Sequence, residues 1–193
     1  RALRSQRTRT VGVVFPDIHE TFMNRVLKGI ETELHPSDYR FMISTSYFCG
    51  ETEAKNVRNF LDRDVDGMLV VPYAPFRGEA HSYDHLREIT ERGVPAVAID
   101  RFVPGVLDTA IVADDYGDAW RGVHALFAAG CRSVGYVGFD LEITSLAERY
   151  RGYRAATTAG PGGGSEAGRP NHEKDDPGEG AGAGSLDRDE REM

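Results

Sequence analysis

The segment TVGVVFPDIHETF, residues 10–22, constrains this chain more than any other. Val11, Val13, Val14 and Phe15 form a short apolar run rich in β-branched residues, the pattern of a strand buried on both faces. Pro16 ends it, because proline cannot donate to a central ladder. A polar loop follows, and Phe22 then opens a helix over residues 22–34. Phe22, Val26, Ile30 and Leu34 recur at every fourth position of that helix, with Met23 and Leu27 beside them. In open parallel sheets, ligands collect where strands end and helices begin. This first turn is therefore the expected centre of a ligand cleft, with the chain supplying one half of it.

The same alternation continues. Strands are predicted at 39–45, 67–71, 95–99 and 133–137, with a short apolar run at 110–112. Helices are predicted from Gly50 to about Arg63, over 82–92, from Asp115 to Ala129 and over 144–157. Pro72 stops the third strand, and Gly93 and Gly130 follow helix ends. Asp115 is the expected N-cap of the fourth helix, with Asp118 favourable in its first turn. Strands alternating with helices of ten or more residues predict βαβ units, hence an α/β fold with a parallel sheet and helices on both faces.

The character changes at Gly160. Residues 161–193 are rich in Gly, Pro and charge and carry almost no large apolar side chain. Such a segment cannot bury enough surface to offset its ordering entropy, so disorder is expected. Its Gly162-Gly163-Gly164 run lacks the strand, the helix and the Gly-Lys-Ser/Thr of a phosphate loop. The tail holds nine acidic and four basic residues, five of the eight net negative charges. The body is thus only mildly acidic and a poor polyanion binder. Arg1, Arg4, Arg7 and Arg9 form a basic arm, either a solvated tail or a remnant of a nucleic-acid-binding segment. No apolar run reaches the ~18 residues of a membrane span. Cys49 and Cys131 lack metal-ligand spacing and are expected to be reduced thiols in a cytoplasmic protein.

Catalytic constellations are missing. There is no Gly-x-Ser-x-Gly elbow, and proline stands where a dinucleotide fold carries its glycine fingerprint. His81 and His85 are four apart, but Ser82 replaces the glutamate of a zinc helix, so they are expected to be two surface histidines. Asp62, Asp64 and Asp66 are expected to be solvated turn residues. No metal, cofactor or enzymatic activity is predicted.

What remains is a set of groups at strand ends. His19, Thr21 and Phe22 follow the first strand, Ser46 to Phe48 the second and Tyr73 the third. Asp100 and Arg101 follow the fourth, and Ser145 and Arg149 lie beyond residues 133–137. An aromatic face, a carboxylate and a guanidinium suit a polyhydroxylated ligand. Phe22 can stack on the apolar face of a sugar ring, Asp100 can accept from two hydroxyls, and Arg149 can donate through its fork. Blander roles exist for each: Phe22 as a core residue, Asp100-Arg101 as a surface ion pair, Arg149 as one of several exposed arginines.

The segments RTRTVGVVFPDIHETFMNRVLKGIE, VDGMLVVP, RGVPAVAIDR, VADDYGDAW, LFAAGCRSVGYVG and ERYRGYRAA stand in an order and spacing that resemble the effector-binding region of lac-repressor and galactose-repressor (LacI/GalR) transcription regulators. The resemblance runs from about Arg1 to Gly160. It implies a periplasmic-binding-protein-like fold of type I, with a sugar or nucleobase-like effector held between two subdomains. Effector binding would change the operator affinity of a homodimer. It further implies residues 1–9 as the remnant of a hinge, residues 10–160 as an incomplete effector-binding subdomain, and His19, Thr21, Phe22, Tyr73, Asp100, Ser145 and Arg149 as ligand-facing. The first helix and the helix after the second strand would lie on the dimer-facing side. Operator DNA would be read only through a helix-turn-helix headpiece outside this sequence. Because the low-complexity tail replaces the second subdomain, a truncated product with weak or no effector binding is expected. A sugar-binding protein of a transport system is the competing expectation.

Overall fold

The computed structural model describes residues 7–107, 109–139 and 142–163. The sequence expectations for residues 1–6 and for the tail from 164 onward lie outside the described residues. Strands β1 (Thr10–Phe15), β2 (Arg40–Thr45), β3 (Gly67–Val70), β4 (Ala96–Ile99) and β5 (Ala110–Ile111) form one sheet. Their order is β2-β1-β3-β4-β5, and each neighbouring pair is parallel. The helices are α1 (Thr21–Leu34), α2 (Gly50–Leu61), α3 (Asp84–Glu91), α4 (Asp115–Ala128) and α5 (Thr144–Ala159).

Alternation along the strands splits the core into two. Val14, Met68, Val70 and Ala98 pack with Val57, Phe60 and Leu61 of α2 and with Leu86 and Ile89 of α3. Val13, Phe15, Val71 and Ile99 pack with Met23, Val26, Leu27 and Ile30 of α1. Successive residues of a strand point to opposite faces, so α2 and α3 cover one side of the sheet and α1 the other. Gly12 permits the first layer to close, because a Cβ there would stand 2.6 Å from Cδ2 of Phe60. The start of β1 is pinned by Asp66, whose carboxylate accepts from the backbone amides of Thr8 and Arg9. Asp66 thus clasps the arm instead of being a merely solvated turn residue.

Two expectations are corrected at the C-terminal end. Residues 133–137 form no strand; the fifth strand of the sheet is Ala110–Ile111. The stretch 131–139 lies against α5, where the Tyr153 hydroxyl donates to the Val134 carbonyl and Tyr136 packs on Tyr150 and Tyr153. Its Val134, Tyr136 and Val137 suit a strand by propensity, but Val137 is fully exposed. Helices α4 and α5 pack chiefly on each other. Gly152 makes this possible, because a Cβ there would collide with the Tyr116 carbonyl of α4. The N-cap of α4 is Asp114, which accepts from the Gly117 amide, and Asp115 lies one residue inside the helix.

Gly12→Ala is expected to lower stability by about 1–3 kcal/mol through overpacking against Phe60. Adding Phe60→Leu to the same chain should recover part of the loss. Urea unfolding of the two variants and the parent checks this, and purely additive losses would argue against the contact.

Candidate functional site

The C-terminal ends of β1, β3 and β4 bring three of the sequence-predicted groups to one edge of the sheet. His19 and Thr21 are exposed on the loop and first turn after β1, and Phe22 is 49% exposed, so it is more than a core residue of α1. Tyr73 follows β3 half-buried, its hydroxyl donating to Glu79 at 3.1 Å. Asp100 follows β4 in the left-handed region, with φ +68°. Aspartate tolerates that region better than most residues, yet the conformation still costs energy. Arg101 Nε lies 3.3 Å from Asp100 Oδ2, and both side chains are largely buried, so the pair is not a surface one. Arg101 Nε has no hydrogen-bond partner among the described residues.

Ser145 and Arg149 reach the site by another route. They sit in the first turns of α5, and Ser145 is buried. The Arg149 Nε donates to Asp115 Oδ1 at 2.7 Å, so Arg149 is not one of several equivalent surface arginines. Asp115 is only 5% exposed. Burial pushes its carboxyl above the ordinary range, Arg149 pulls it back, and the nearby Asp100 carboxylate pushes it up again. Asp100, Asp115 and Arg149 therefore form one electrostatic group, built from β4, α4 and α5. The sequence marked Asp115 only as a cap.

Hydrogen bonds tie the start of α5 and the residues just before it to the loops after the strands. The Phe102 amide donates to Thr144 Oγ1 at 3.2 Å, and the Glu142 amide donates to the Pro75 carbonyl at 3.0 Å.

Behind Tyr73 lies a cluster that the sequence reading misjudged. His81 and His85 are not two surface histidines. His85 is 3% exposed and its Nε2 lies 2.8 Å from Oε1 of Glu53, a residue with no exposed surface. His81 stands edge-on to Tyr73 and Tyr83, with centroids 4.7 and 4.6 Å apart. It occupies the space left by Gly50, where any Cβ would collide with its ring. Burial lowers the His81 pKa below the ordinary 6.5, with His85 adding to the effect and Glu53 and Glu79 opposing it. The Tyr83 hydroxyl donates to the Tyr73 carbonyl and is pushed up to about 12, mainly by burial. One signal for Glu53 was present in the sequence. It falls four residues before Val57, on the apolar face of α2, where a charge demands a partner. Among the described residues, no group of three or more His, Cys, Asp or Glu side chains has the geometry to hold a metal.

No family model matches the chain. It is 25% identical over 155 residues to the fructose operon regulatory protein of Vibrio cholerae, a match covering 80% of this chain and 46% of that protein. A solved structure of a putative ribose operon repressor from Burkholderia thailandensis is 28% identical, with a TM-score of 0.66 over 79% of this chain and 56% of the other. The Cra transcriptional dual regulator of Pseudomonas putida, solved with fructose 1-phosphate, has the same fold at 23% identity and a TM-score of 0.66, over 79% of this chain and 54% of that one. The chain spans about half the length of the curated relatives it matches. These regulators are not enzymes.

Two outcomes follow from the buried cluster. His85→Ala leaves the Glu53 carboxylate buried and unpaired and is expected to cost about 3–5 kcal/mol, most of it recovered when Glu53→Met and His85→Leu are combined. Denaturant unfolding of the two variants and the parent measures this. The depressed pKa of His81 means that the unfolded chain takes up its proton first. Its contribution to stability is therefore complete above pH 6.5 and is lost as pH falls below that value. Unfolding measured from pH 5 to 8 should show a slope that flattens in His81→Gln.

Proposed function

We propose that this chain, a homologue of the periplasmic-binding-protein-like effector domains of LacI-family regulators over about four fifths of its length, is the effector-sensing part of such a regulator. The observation that carries this is the meeting of Asp100 with the Asp115–Arg149 pair where the sheet edge faces α5. The carboxylate and the guanidinium fork are the pair of groups that grip vicinal hydroxyls or a sugar phosphate. The bond to Asp115 uses Nε of Arg149, which leaves the terminal nitrogens of the fork as further donors for a ligand. Phe22 supplies an apolar face, His19 and Thr21 flank it, and Tyr73 and Ser145 line the back. A sugar or phosphorylated sugar is the effector class this set fits best.

Such a ligand would bridge two parts of the chain, the strand-end loops and α5. By binding one arrangement of them better than another, it would bias the position of the sheet relative to the α4–α5 pair. In a regulator that shift would reach operator DNA through residues 1–9 and a headpiece beyond them, in a homodimer in the cytoplasm. Met42 and Ile43 on the β2 edge are both exposed, as are Tyr47 and Phe48 after it. This apolar edge, flanked by α1 and α2, is our candidate for the surface joining two copies.

Isothermal calorimetry with a panel of pentoses, hexoses and their phosphates is the direct test. Arg149→Ala and Asp100→Ala should each weaken the tightest ligand by about tenfold or more, as expected for hydrogen bonds to charged groups. A ligand unaffected by both substitutions would refute the site. Ile43→Asp should shift sedimentation from dimer toward monomer, and a monomeric parent would refute the proposed edge.

A further inference from the structure

A cleft of about 350 Å³ opens between the loop after β3, the residues after β4 and the start of α5. That volume lies in the range of small-molecule sites. It is lined by Arg77, Glu79, His81, Tyr83, Phe102 and Glu142, among others, and it takes in none of Asp100, Asp115, Ser145 or Arg149. It is thus a different place from the strand-end site.

Three observations converge there. First, Nε2 of His81 is buried and has no hydrogen-bond partner among the described residues. A buried imidazole nitrogen left unpaired is uncommon and marks a place where a partner is due. Second, the walls are largely apolar and aromatic. Phe102, exposed at 36%, and Tyr83 stand with Val103, Pro104 and Ile143. Third, the charges do not balance. Glu79 and Glu142 bring two carboxylates against the single guanidinium of Arg77, which is itself engaged. Neutral His81 adds nothing to offset them, so the lining carries a net negative charge.

We propose that this cleft is a second ligand site, for a small organic cation: an amine carried on an apolar or aromatic body. The body would lie against Phe102 and Tyr83, where a cation also gains from the ring faces. The N–H groups would point at Glu142 and at the unpaired nitrogen of His81. Glu79 is the less available carboxylate, because it already accepts from the Tyr73 hydroxyl and from the Phe76 amide. Glu142 is exposed, and beyond the Gly78 amide at 3.4 Å its carboxylate is open to a ligand. The backbone of Glu142 also bonds the Pro75 carbonyl, and Thr144 bonds the Phe102 amide. A molecule seated here would brace the same junction that the strand-end effector would span, so the two sites should influence each other's affinity.

The test uses benzylamine, benzyl alcohol and benzoate as probes of one shape and three charges. The chain is labelled with 15N at histidine, and long-range proton–nitrogen spectra follow the His81 ring. Benzylamine should shift the His81 resonances saturably, benzyl alcohol should do so more weakly, and benzoate should not. Glu142→Gln, a change at an exposed position, should weaken benzylamine up to about fivefold, the worth of an exposed ion pair, and leave benzyl alcohol unchanged. Arg149→Ala should leave benzylamine binding intact. Unmoved His81 resonances with all three probes, or benzoate binding as well as benzylamine, would overturn the proposal. So would loss of the response in Arg149→Ala, which would assign it to the strand-end site.

Discussion

Everything in this structure hangs on β1 having two parallel neighbours. A parallel pair cannot be closed by a tight turn, so each return to the sheet needs a crossover on one of its faces. Because β1 carries β2 on one side and β3 on the other, the chain must cross it with α1 and then with α2. The two crossovers land on opposite faces, and both faces of β1 are buried. All the strands point the same way, so every loop that leaves a strand end emerges at the same edge. The loops carrying His19 and Phe22, Tyr73, and Asp100 leave the sheet at one edge for that reason, though dozens of residues separate the three loops along the chain.

The second constraint is the junction with α5. The α4–α5 pair is held together by its own packing around Gly152 and is tied to the strand ends by bonds at Phe102 and at Pro75. A well-packed interface would make the sheet and the helix pair one rigid body. A junction with polar groups on both banks is what a ligand can bias. The buried Glu53–His85 pair works in the opposite sense. It stiffens the wall behind Tyr73, because separating the pair would leave a charge without water or partner.

Much of the fold was legible. The strands at 10–15 and 67–70 were plain from their apolar runs, and their ends from Pro16 and Pro72, since local chemistry decides both. The run at 133–137 was misjudged by the same logic. Its valines and tyrosine carry strand propensity, but propensity does not supply a neighbouring strand, and among the described residues this one has none. The histidines failed for a different reason. Spacing along a chain reports neither burial nor partner, and His81 is half-buried and His85 buried because α2 presents Gly50 and Glu53 to them.

The sequence by itself determined the alternation of strands and helices, the parallel class that follows from it, and the strand ends where polar and aromatic side chains gather. These are local matters of periodicity, proline placement and β-branching. Only the tertiary structure decided that Arg149 faces Asp115, that Asp100 sits close enough to raise the Asp115 carboxyl, and that Glu53 meets His85. In these pairs, Asp115 and Arg149 are 34 positions apart and Glu53 and His85 are 32 apart. Their energies come from desolvation and Coulomb attraction, which depend on distance and burial in three dimensions and leave no periodic trace in the chain.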